Sequence, residues 1–151
     1  LKAPIQTGKD IGVVGLPKVL TPPPYGTRCF FLGWGYSESS KTVLRWTKFK
    51  ILKPEQCPEV DLRVEGEICA RDSKKISYTA PVTVQSIFNY RFLHITCDPG
   101  SIFSKGDSGG PLVCNGIVTG ILQIGANVAN HAATFPLVSH YVTFIEEACA
   151  D

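Results

Sequence analysis

The nine residues GDSGGPLVC, at positions 106–114, place a serine between glycines directly before a short apolar run. Glycine permits backbone angles and close approaches that other residues do not. A turn of this composition can point the N–H groups of Gly106 and Ser108 at one spot beside the serine oxygen, which is the geometry of an oxyanion hole. The alternative is a glycine-rich β-turn with a solvated serine, in which Asp107 accepts turn hydrogen bonds. The surrounding sequence decides between these interpretations.

The segments on either side of this stretch predict an all-β domain. Short runs rich in β-branched and aromatic residues alternate with Gly, Pro and Ser, as in a β-sandwich or barrel. The predicted strands cover residues 29–34, 43–52, 64–70, 81–96, 111–114 and 117–124.

The two ends of the chain differ from this pattern. Residues 1–24 are rich in proline and glycine, which predicts an extended connecting segment, with the barrel over 25–151. Near the other end Ser139 is a predicted N-cap. Apolar residues then recur at helical spacing, which predicts a helix over about 139–149 packed on the barrel. The residues of that face are Tyr141, Val142, Ile145 and Ala148.

Length and composition exclude several classes of protein. The chain has 151 residues, enough for one domain, and its 44% hydrophobic and 19% charged residues are typical of a globular protein. A net charge of +2 is too small to indicate a nucleic-acid partner. No apolar run approaches the roughly 20 residues of a membrane span. We therefore expect neither a nucleic-acid nor a membrane partner.

The chain has six cysteines, an even number that favours a disulfide framework and an oxidising, extracellular compartment. No pair has the C-x-x-C spacing of a zinc site, so we expect no metal, and no motif indicates another cofactor. The chain contains no methionine and begins at Leu1 without a signal-peptide pattern, which predicts a processed product or a fragment.

Several segments, in the same order, resemble the chymotrypsin and trypsin family of serine peptidases. CFFLGWG (29–35) resembles the family's cysteine followed by G-W-G, and ILKPEQC (51–57) and EICA (67–70) resemble the segments around its next two cysteines. GDSGGPLVC resembles its nucleophile signature, and LKAPI (1–5) the segment after its catalytic aspartate. The resemblance implies the second, six-stranded Greek-key barrel of a double barrel, with a short C-terminal helix.

The resemblance also implies roles for individual residues. Ser108 would be the nucleophile, and the N–H groups of Gly106 and Ser108 would form the oxyanion hole. Asp107 would pair with the N-terminal amine that zymogen cleavage creates. The implied disulfides are Cys29–Cys114 and Cys57–Cys69. Cys97 and Cys149 remain, and they either pair with each other or one of them holds a missing chain.

The residues that would activate Ser108 are absent from this chain. In this family a histidine oriented by a buried aspartate moves the proton, and both residues come from the first barrel, upstream of this sequence. His94, His131 and His140 match no catalytic position, and we interpret them as packed or solvated. Either a separate N-terminal half of the same precursor supplies the base, or this chain hydrolyses no peptide efficiently.

The expected substrate pocket departs from the family pattern. Ile102 stands where an aspartate would select Arg or Lys, and Ser104 replaces a bracing cysteine. Ala132 or Ala133 replaces a glycine at the pocket mouth. These changes predict a shallow apolar pocket or one closed to large side chains. The remaining residues implied to bind substrate are Phe103, Lys105, Gln123, Ile124 and Gly125. The stretch 71–103 is longer than its counterpart in simple members of the family. It is either a loop that recognises a partner or an insertion without a function.

Three functions follow from these features. The first is a secreted serine endopeptidase that acts on protein or peptide substrates once an N-terminal half completes it. The alternative is a non-catalytic relative that acts as a binding or regulatory protein. The third is an α/β-hydrolase, whose G-x-S-x-G pattern GDSGG satisfies literally, but that fold needs a helix after the serine and here a strand, turn and strand follow.

Overall fold

The computed structural model describes residues 5–9, 11–34, 44–60, 65–74, 107–125 and 130–149. Within these ranges the strands are β1 Arg28–Gly33, β2 Arg45–Ile51, β3 Glu67–Asp72, β4 Pro111–Cys114, β5 Ile117–Ile121 and β6 Ala133–Pro136. A 3₁₀ turn at Pro54–Gln56 follows β2. A second, at Val138–Tyr141, follows β6 and leads into the helix α1, Val142–Cys149.

β2 shows why these residues form strands. From Thr47 onward its side chains alternate between buried and exposed, with Thr47, Phe49 and Ile51 facing the interior. The lysines at 48 and 50 lie on the exposed positions between them. This period of two matches the pleat of a strand with one buried face.

The six strands form one antiparallel sheet in the order β5-β4-β1-β2-β3-β6. β1, β2 and β3 are consecutive neighbours, and β4 returns to the free side of β1, which is the Greek-key arrangement. Bridges between Gly120 and Leu137 and between Ile124 and Thr134 join the two ends of the sheet. The sheet is therefore a nearly closed barrel, and the all-β fold predicted from the sequence is confirmed.

Three phenylalanines fill the centre of the barrel. Phe31, Phe49 and Phe135 are at most 2% exposed, and their ring centroids lie 5.4 to 6.0 Å apart. The tilted and edge-on ring arrangements avoid face-to-face repulsion between the π-systems. Because the rings come from β1, β2 and β6, they connect strands from distant parts of the sheet.

Two disulfides cross-link the barrel as predicted. Cys29 and Cys114 face each other across β1 and β4, and their bond closes a sequence separation of 85 residues. Cys57 and Cys69 join the segment after the first 3₁₀ turn to β3, with a separation of 12 residues. Cys149 is an exposed free thiol in the described part of the chain. Cys97 lies outside it, so the role of this third pair stays a prediction.

A two-residue turn at Asn115 and Gly116 joins β4 to β5. Both residues have positive φ, at 52° and 77°. Turns of this kind match the right-handed twist of the strands they connect, and Asn-Gly is their preferred sequence. The observed strand, turn and strand after Ser108 excludes the α/β-hydrolase alternative, which requires a helix there.

The C-terminal helix differs from its prediction in two ways. Ser139 is not an N-cap: it lies inside the 3₁₀ turn, and its hydroxyl donates a hydrogen bond to the Leu20 carbonyl at 3.4 Å. The α-helix begins only at Val142. In addition, the described part of the chain buries no residue of α1, and Tyr141 and Phe144 are 52% and 68% exposed. Of the predicted apolar face only Val142 and Ile145 are half-buried, so within the described residues the helix packs on the barrel less closely than predicted.

Two strands differ between the sequence prediction and the described structure. The sequence analysis does not predict β6: the strand has only four residues, and three successive ones, including the polar Thr134, are buried, so burial does not follow the polar and apolar pattern. The predicted strand over 81–96 lies outside the described residues, as does most of the long stretch 71–103.

The segment before β1 runs over the surface of the barrel. Gly15 donates its N–H to the Gly116 carbonyl at 3.0 Å, and the Gly15 carbonyl accepts from Val118 at 2.9 Å. These bonds hold the segment beside β5. The division into a connecting segment over 1–24 and a barrel over 25–151 stays a prediction. In the described ranges there is no helix long and apolar enough to cross a membrane.

We predict that the two disulfides stabilise the fold unequally. In the chain-entropy model the 85-residue loop contributes about 4.5 kcal/mol and the 12-residue loop about 3 kcal/mol. Replacing Cys29 and Cys114 together with serine should therefore lower the free energy of unfolding more than the same change at Cys57 and Cys69. Urea unfolding of the two double variants measures both losses. A larger loss at Cys57 and Cys69 would contradict the ranking.

Candidate active site

Ser108 lies at the second position of a tight turn that leads into β4. The Gly110 N–H donates to the Asp107 carbonyl at 2.9 Å and closes the turn. Gly109, at the third position, has a φ of 84°, which type II turns require there and which favours glycine. The turn leaves Ser108 exposed.

Gly110 is required by the close approach of neighbouring backbone. A Cβ added there would lie 2.8 Å from the carbonyl oxygens of both Asp107 and Leu32. Real Cβ atoms do not approach a carbonyl oxygen so closely, so any larger residue would push the turn away from β1. The glycine thus sets the distance between the Ser108 turn and the barrel.

Asp107, next to Ser108, points into the protein and is 2% exposed. Its carboxylate lies against Gly33 at the end of β1, where an added Cβ would overlap it. Gly33 is the first glycine of the G-W-G segment, so this contact explains why a glycine is needed at that position. The pairing of Asp107 with a new N-terminal amine, implied by the resemblance, stays a prediction.

The segment Gln123–Gly125 lies beside the Ser108 turn. Gly109 donates its N–H to the Leu122 carbonyl at 3.0 Å, and the Leu122 N–H donates to the Gly110 carbonyl at 2.9 Å. Gln123 and Ile124 then pair with Thr134 through two further backbone bonds, of 3.1 and 2.9 Å. The structure therefore brings Ser108 and the predicted substrate-binding segment together on one edge of the barrel.

No base accompanies Ser108 in the described part of the chain. Within those ranges its hydroxyl has no hydrogen-bond partner. His131 is exposed, and His140 stacks on Gly66, with ring carbons 3.0 Å from the position of an added Cβ. His140 therefore contacts Gly66 on one side but is itself exposed. His94 lies outside the described residues.

Several predicted site residues also lie outside the described ranges. They are Gly106, Ile102, Phe103, Ser104 and Lys105, so the oxyanion hole and the pocket floor stay predictions. Ala132 and Ala133 are described, and both are at most 1% exposed. Ala132 packs against the Cys57–Cys69 disulfide and Ala133 against the barrel core. Neither methyl group is exposed at a pocket mouth, where the sequence interpretation had put one of them.

Sequence reasoning missed a polar network around the start of β6. The Glu59 carboxylate accepts the Ala132 N–H at 2.6 Å, and the same oxygen lies 3.5 Å from Nη2 of Arg71. Arg71 also donates to the Gln56 carbonyl at 2.5 Å and to Oδ1 of Asn130 at 3.5 Å. No sequence motif links these residues, because they come from three segments that only the fold brings together.

The network changes the acidity of Glu59. Partial burial raises the pKa of this carboxyl. Hydrogen bonds from the Ala132 N–H and the backbone N–H of Glu59, and the charges of Arg71 and His131, lower the pKa by more than burial raises it. The resulting pKa lies below its ordinary value. Glu59 is therefore a carboxylate at neutral pH, held by a charge-assisted hydrogen bond. In the described ranges no three His, Cys, Asp or Glu side chains are placed to hold a metal ion.

Sequence comparison finds relatives along almost the whole chain. The family model described as Trypsin matches residues 1–81 and 90–145. Trypsin of Sus scrofa is 29% identical over 156 residues, covering 99% of this chain and 57% of that protein. Mast cell protease 2 of Meriones unguiculatus is 28% identical over 151 residues, covering 97% and 51%. The chain thus spans little more than half the length of these relatives.

Solved structures show the same fold. Kallikrein-related peptidase 10 superimposes with a TM-score of 0.61 at 23% identity, over 98% of this chain and 61% of that one. Neuropsin, a serine protease expressed in the limbic system of mouse brain, gives 0.60 at 23% identity, over 95% and 56%. At this identity the likeness concerns the fold alone.

We predict that Gly110→Ala displaces the Ser108 turn. The added methyl group should lower the free energy of unfolding by about 1 to 3 kcal/mol because it overlaps two carbonyl oxygens. Gly8→Ala is the matched control, since a Cβ there meets nothing within 4 Å. Urea unfolding compares the two variants, and equal stability would contradict the close approach at Gly110.

We also predict that Glu59 stabilises the fold in a pH-dependent way. Because its pKa is lowered in the folded chain, its contribution is present above its ordinary pKa of about 4.3 and is lost as the pH falls through the lowered value. The stability difference between the unmodified protein and Glu59→Gln should therefore be largest near pH 6 to 7. It should disappear at more acidic pH.

Urea unfolding at a series of pH values measures this difference. Glu55→Gln is the control, because it removes the same charge from an exposed side chain in the neighbouring 3₁₀ turn. A stability difference for Glu59→Gln that is constant from pH 3 to pH 7 would contradict the lowered pKa.

Proposed function

Because the chain belongs to the trypsin family of serine proteases, we propose that it is the nucleophile-bearing half of a serine endopeptidase that acts through Ser108. The membership rests on the family model, which matches most of the chain, and it confirms the resemblance found in the sequence. We propose, in addition, which reaction the complete protein catalyses, which substrates it cleaves and which partner completes it.

One observation carries the assignment of Ser108. Its hydroxyl is exposed on a tight turn that backbone bonds hold next to the segment Gln123–Gly125. A solvated turn serine would be equally exposed, so exposure alone does not distinguish the two interpretations. The position of Ser108 beside Gln123–Gly125, in a chain of the trypsin family, supports its role as the nucleophile.

The proposed reaction proceeds through an acyl-enzyme. Ser108 Oγ attacks the carbonyl carbon of a peptide bond while a histidine from the N-terminal half takes the hydroxyl proton. The N–H groups of Gly106 and Ser108 bind the oxyanion. The C–N bond breaks and the amine leaves with that proton. Water then attacks the ester, its proton returns to Ser108 through the histidine, and the acid product leaves.

The surface of the barrel supports a partner chain. Phe30 and Trp46 form an edge-on pair at 5.5 Å on the outside of β1 and β2, yet they are 44% and 58% exposed. The segment before β1 exposes further apolar side chains, including Val13 at 88%. Exposed apolar patches of this extent mark interaction sites in proteins. We infer that the N-terminal half of the same precursor, with the catalytic histidine and aspartate, covers them.

The compartment and the preferred substrate are two further parts of the proposal. Two disulfides close the barrel, and such bonds persist in oxidising surroundings, which supports secretion. Ile102 at the family's specificity position supports cleavage after small or apolar residues, rather than after Arg or Lys.

A non-catalytic binding protein is the second candidate. It is favoured by the departures around the expected pocket, where Ile102 and Ser104 stand in place of the usual residues. The retained serine and its intact turn argue against it, because non-catalytic relatives of serine peptidases often lose that serine.

The test is the reaction of the natural protein with a fluorophosphonate, which acylates activated serines. We predict one adduct, seen by intact mass under non-reducing conditions, and a second polypeptide in the same species. Ser108→Ala should abolish the adduct. Ser73→Ala, which changes another exposed serine, should leave it unchanged.

An unmodified mass would overturn the peptidase assignment and support the binding protein. An adduct that persists in Ser108→Ala would place the reactive serine elsewhere. An adduct on a single chain with no partner would contradict the two-part enzyme.

A further inference from the structure

The Glu59 network joins three segments that are distant in sequence. One oxygen of Glu59 accepts the Ala132 N–H at 2.6 Å and faces Nη2 of Arg71 at 3.5 Å. The side chains of Glu59 and Arg71 are each 18% exposed, so water screens their interaction only in part. Arg71 also contacts Gln56 and Asn130. The contacts hold the segment before β6 against the Cys57–Cys69 disulfide.

The first residues of β6 connect Ala132 to the segment Gln123–Gly125. Ala132 directly precedes β6, and two residues later Thr134 makes both backbone bonds to Gln123 and Ile124. A strand pair is sensitive to register, because a shift of one residue turns every side chain to the opposite face. β6 is held by its ladder with β3, and the Glu59 contact extends that hold by one residue to Ala132, so it contributes to the position of Gln123–Gly125.

The Ser108 turn is held by separate contacts. Gly109 and Gly110 bind Leu122, and Gly110 packs against the Leu32 carbonyl of β1. These bonds lie on β1 and on the end of β5, whereas Glu59 acts on the start of β6. A change at Glu59 should thus move the segment that binds the substrate backbone more than it moves the nucleophile.

We propose that Glu59 is a positioning residue for substrate binding: its carboxylate, paired with Arg71, holds β6 so that Gln123–Gly125 presents its main-chain groups to a peptide. The inference rests on the proposed function, since it concerns that reaction. Peptides that pair along an extended segment gain affinity from main-chain hydrogen bonds. A small reagent that reacts at Ser108 alone does not use them.

The test compares two reactions of the complete protein, with its N-terminal half. The first is hydrolysis of a tripeptide amide with an apolar residue before the scissile bond, and the second is labelling by a small fluorophosphonate. With an amide, chemistry is slow and KM approaches the dissociation constant. For Glu59→Ala we expect KM to rise about tenfold, because a hydrogen bond to a charged group is lost. We expect kcat and the labelling rate to stay within about twofold of the unmodified protein, since Ser108 keeps its own contacts.

Two further variants separate positioning from stability. Glu59→Gln keeps an oxygen acceptor for the Ala132 N–H but loses the charge, so KM should rise only about threefold. This variant retains the shape of the side chain and serves if Glu59→Ala does not fold. Glu55→Ala removes a neighbouring exposed carboxylate and should leave KM unchanged.

The outcomes distinguish this inference from the proposed function. Labelling of the unmodified protein, with KM unchanged in both Glu59 variants, would overturn the role of Glu59 alone. Equal losses of kcat and labelling rate, with KM constant, would mean a structural role and would overturn it too. No labelling of the unmodified protein would overturn the proposed function and this inference together.

Discussion

The backbone bonds that join the end of β5 to β6 are the interaction on which the site depends. β5 and β6 are the two edges of the sheet, and their pairing closes the barrel. The same bonds place Gln123 and Ile124 beside Thr134, while Leu122 reaches back to the Ser108 turn. Closure of the barrel therefore also sets the position of Gln123–Gly125, while separate bonds from Gly109 and Gly110 to Leu122 hold the Ser108 turn next to that segment.

The sequence predicts the parts of the fold in which local pattern and tertiary environment agree. β2 alternates with period two, and the Asn115–Gly116 pair specifies the turn between β4 and β5, so both could be inferred from the residues alone. β6 could not, because it is only four residues long and buries the polar Thr134 together with its apolar neighbours. Ser139 is a good N-cap residue, but its hydroxyl instead binds the Leu20 carbonyl, a contact 119 residues away that no local pattern contains.

The same distinction applies to the site. The glycines around Ser108 predict a tight turn. The structure shows that Gly110, and Gly33 of β1, are needed because neighbouring atoms approach them closely. The contact between Glu59 and Ala132 joins residues 73 positions apart. Neither residue belongs to a motif, and a glutamate near a proline in a polar loop usually indicates a solvated surface. The contact forms only because the fold brings Arg71 of β3 and Ala132, before β6, to Glu59.

The barrel buries a dense apolar core but leaves large apolar side chains exposed on its outside. The phenylalanine centre is closed to water, whereas Trp46, Val13 and Phe144 are each more than half exposed. A serine hydroxyl without a base is a weak nucleophile, because its proton has no acceptor at neutral pH. In the proposed two-part enzyme, the N-terminal half would bury exposed apolar side chains of the barrel and bring the base to Ser108. In the proposed enzyme, hydrophobic association thus supplies the driving force that completes the catalytic group, and the chemistry depends on the stability of that contact.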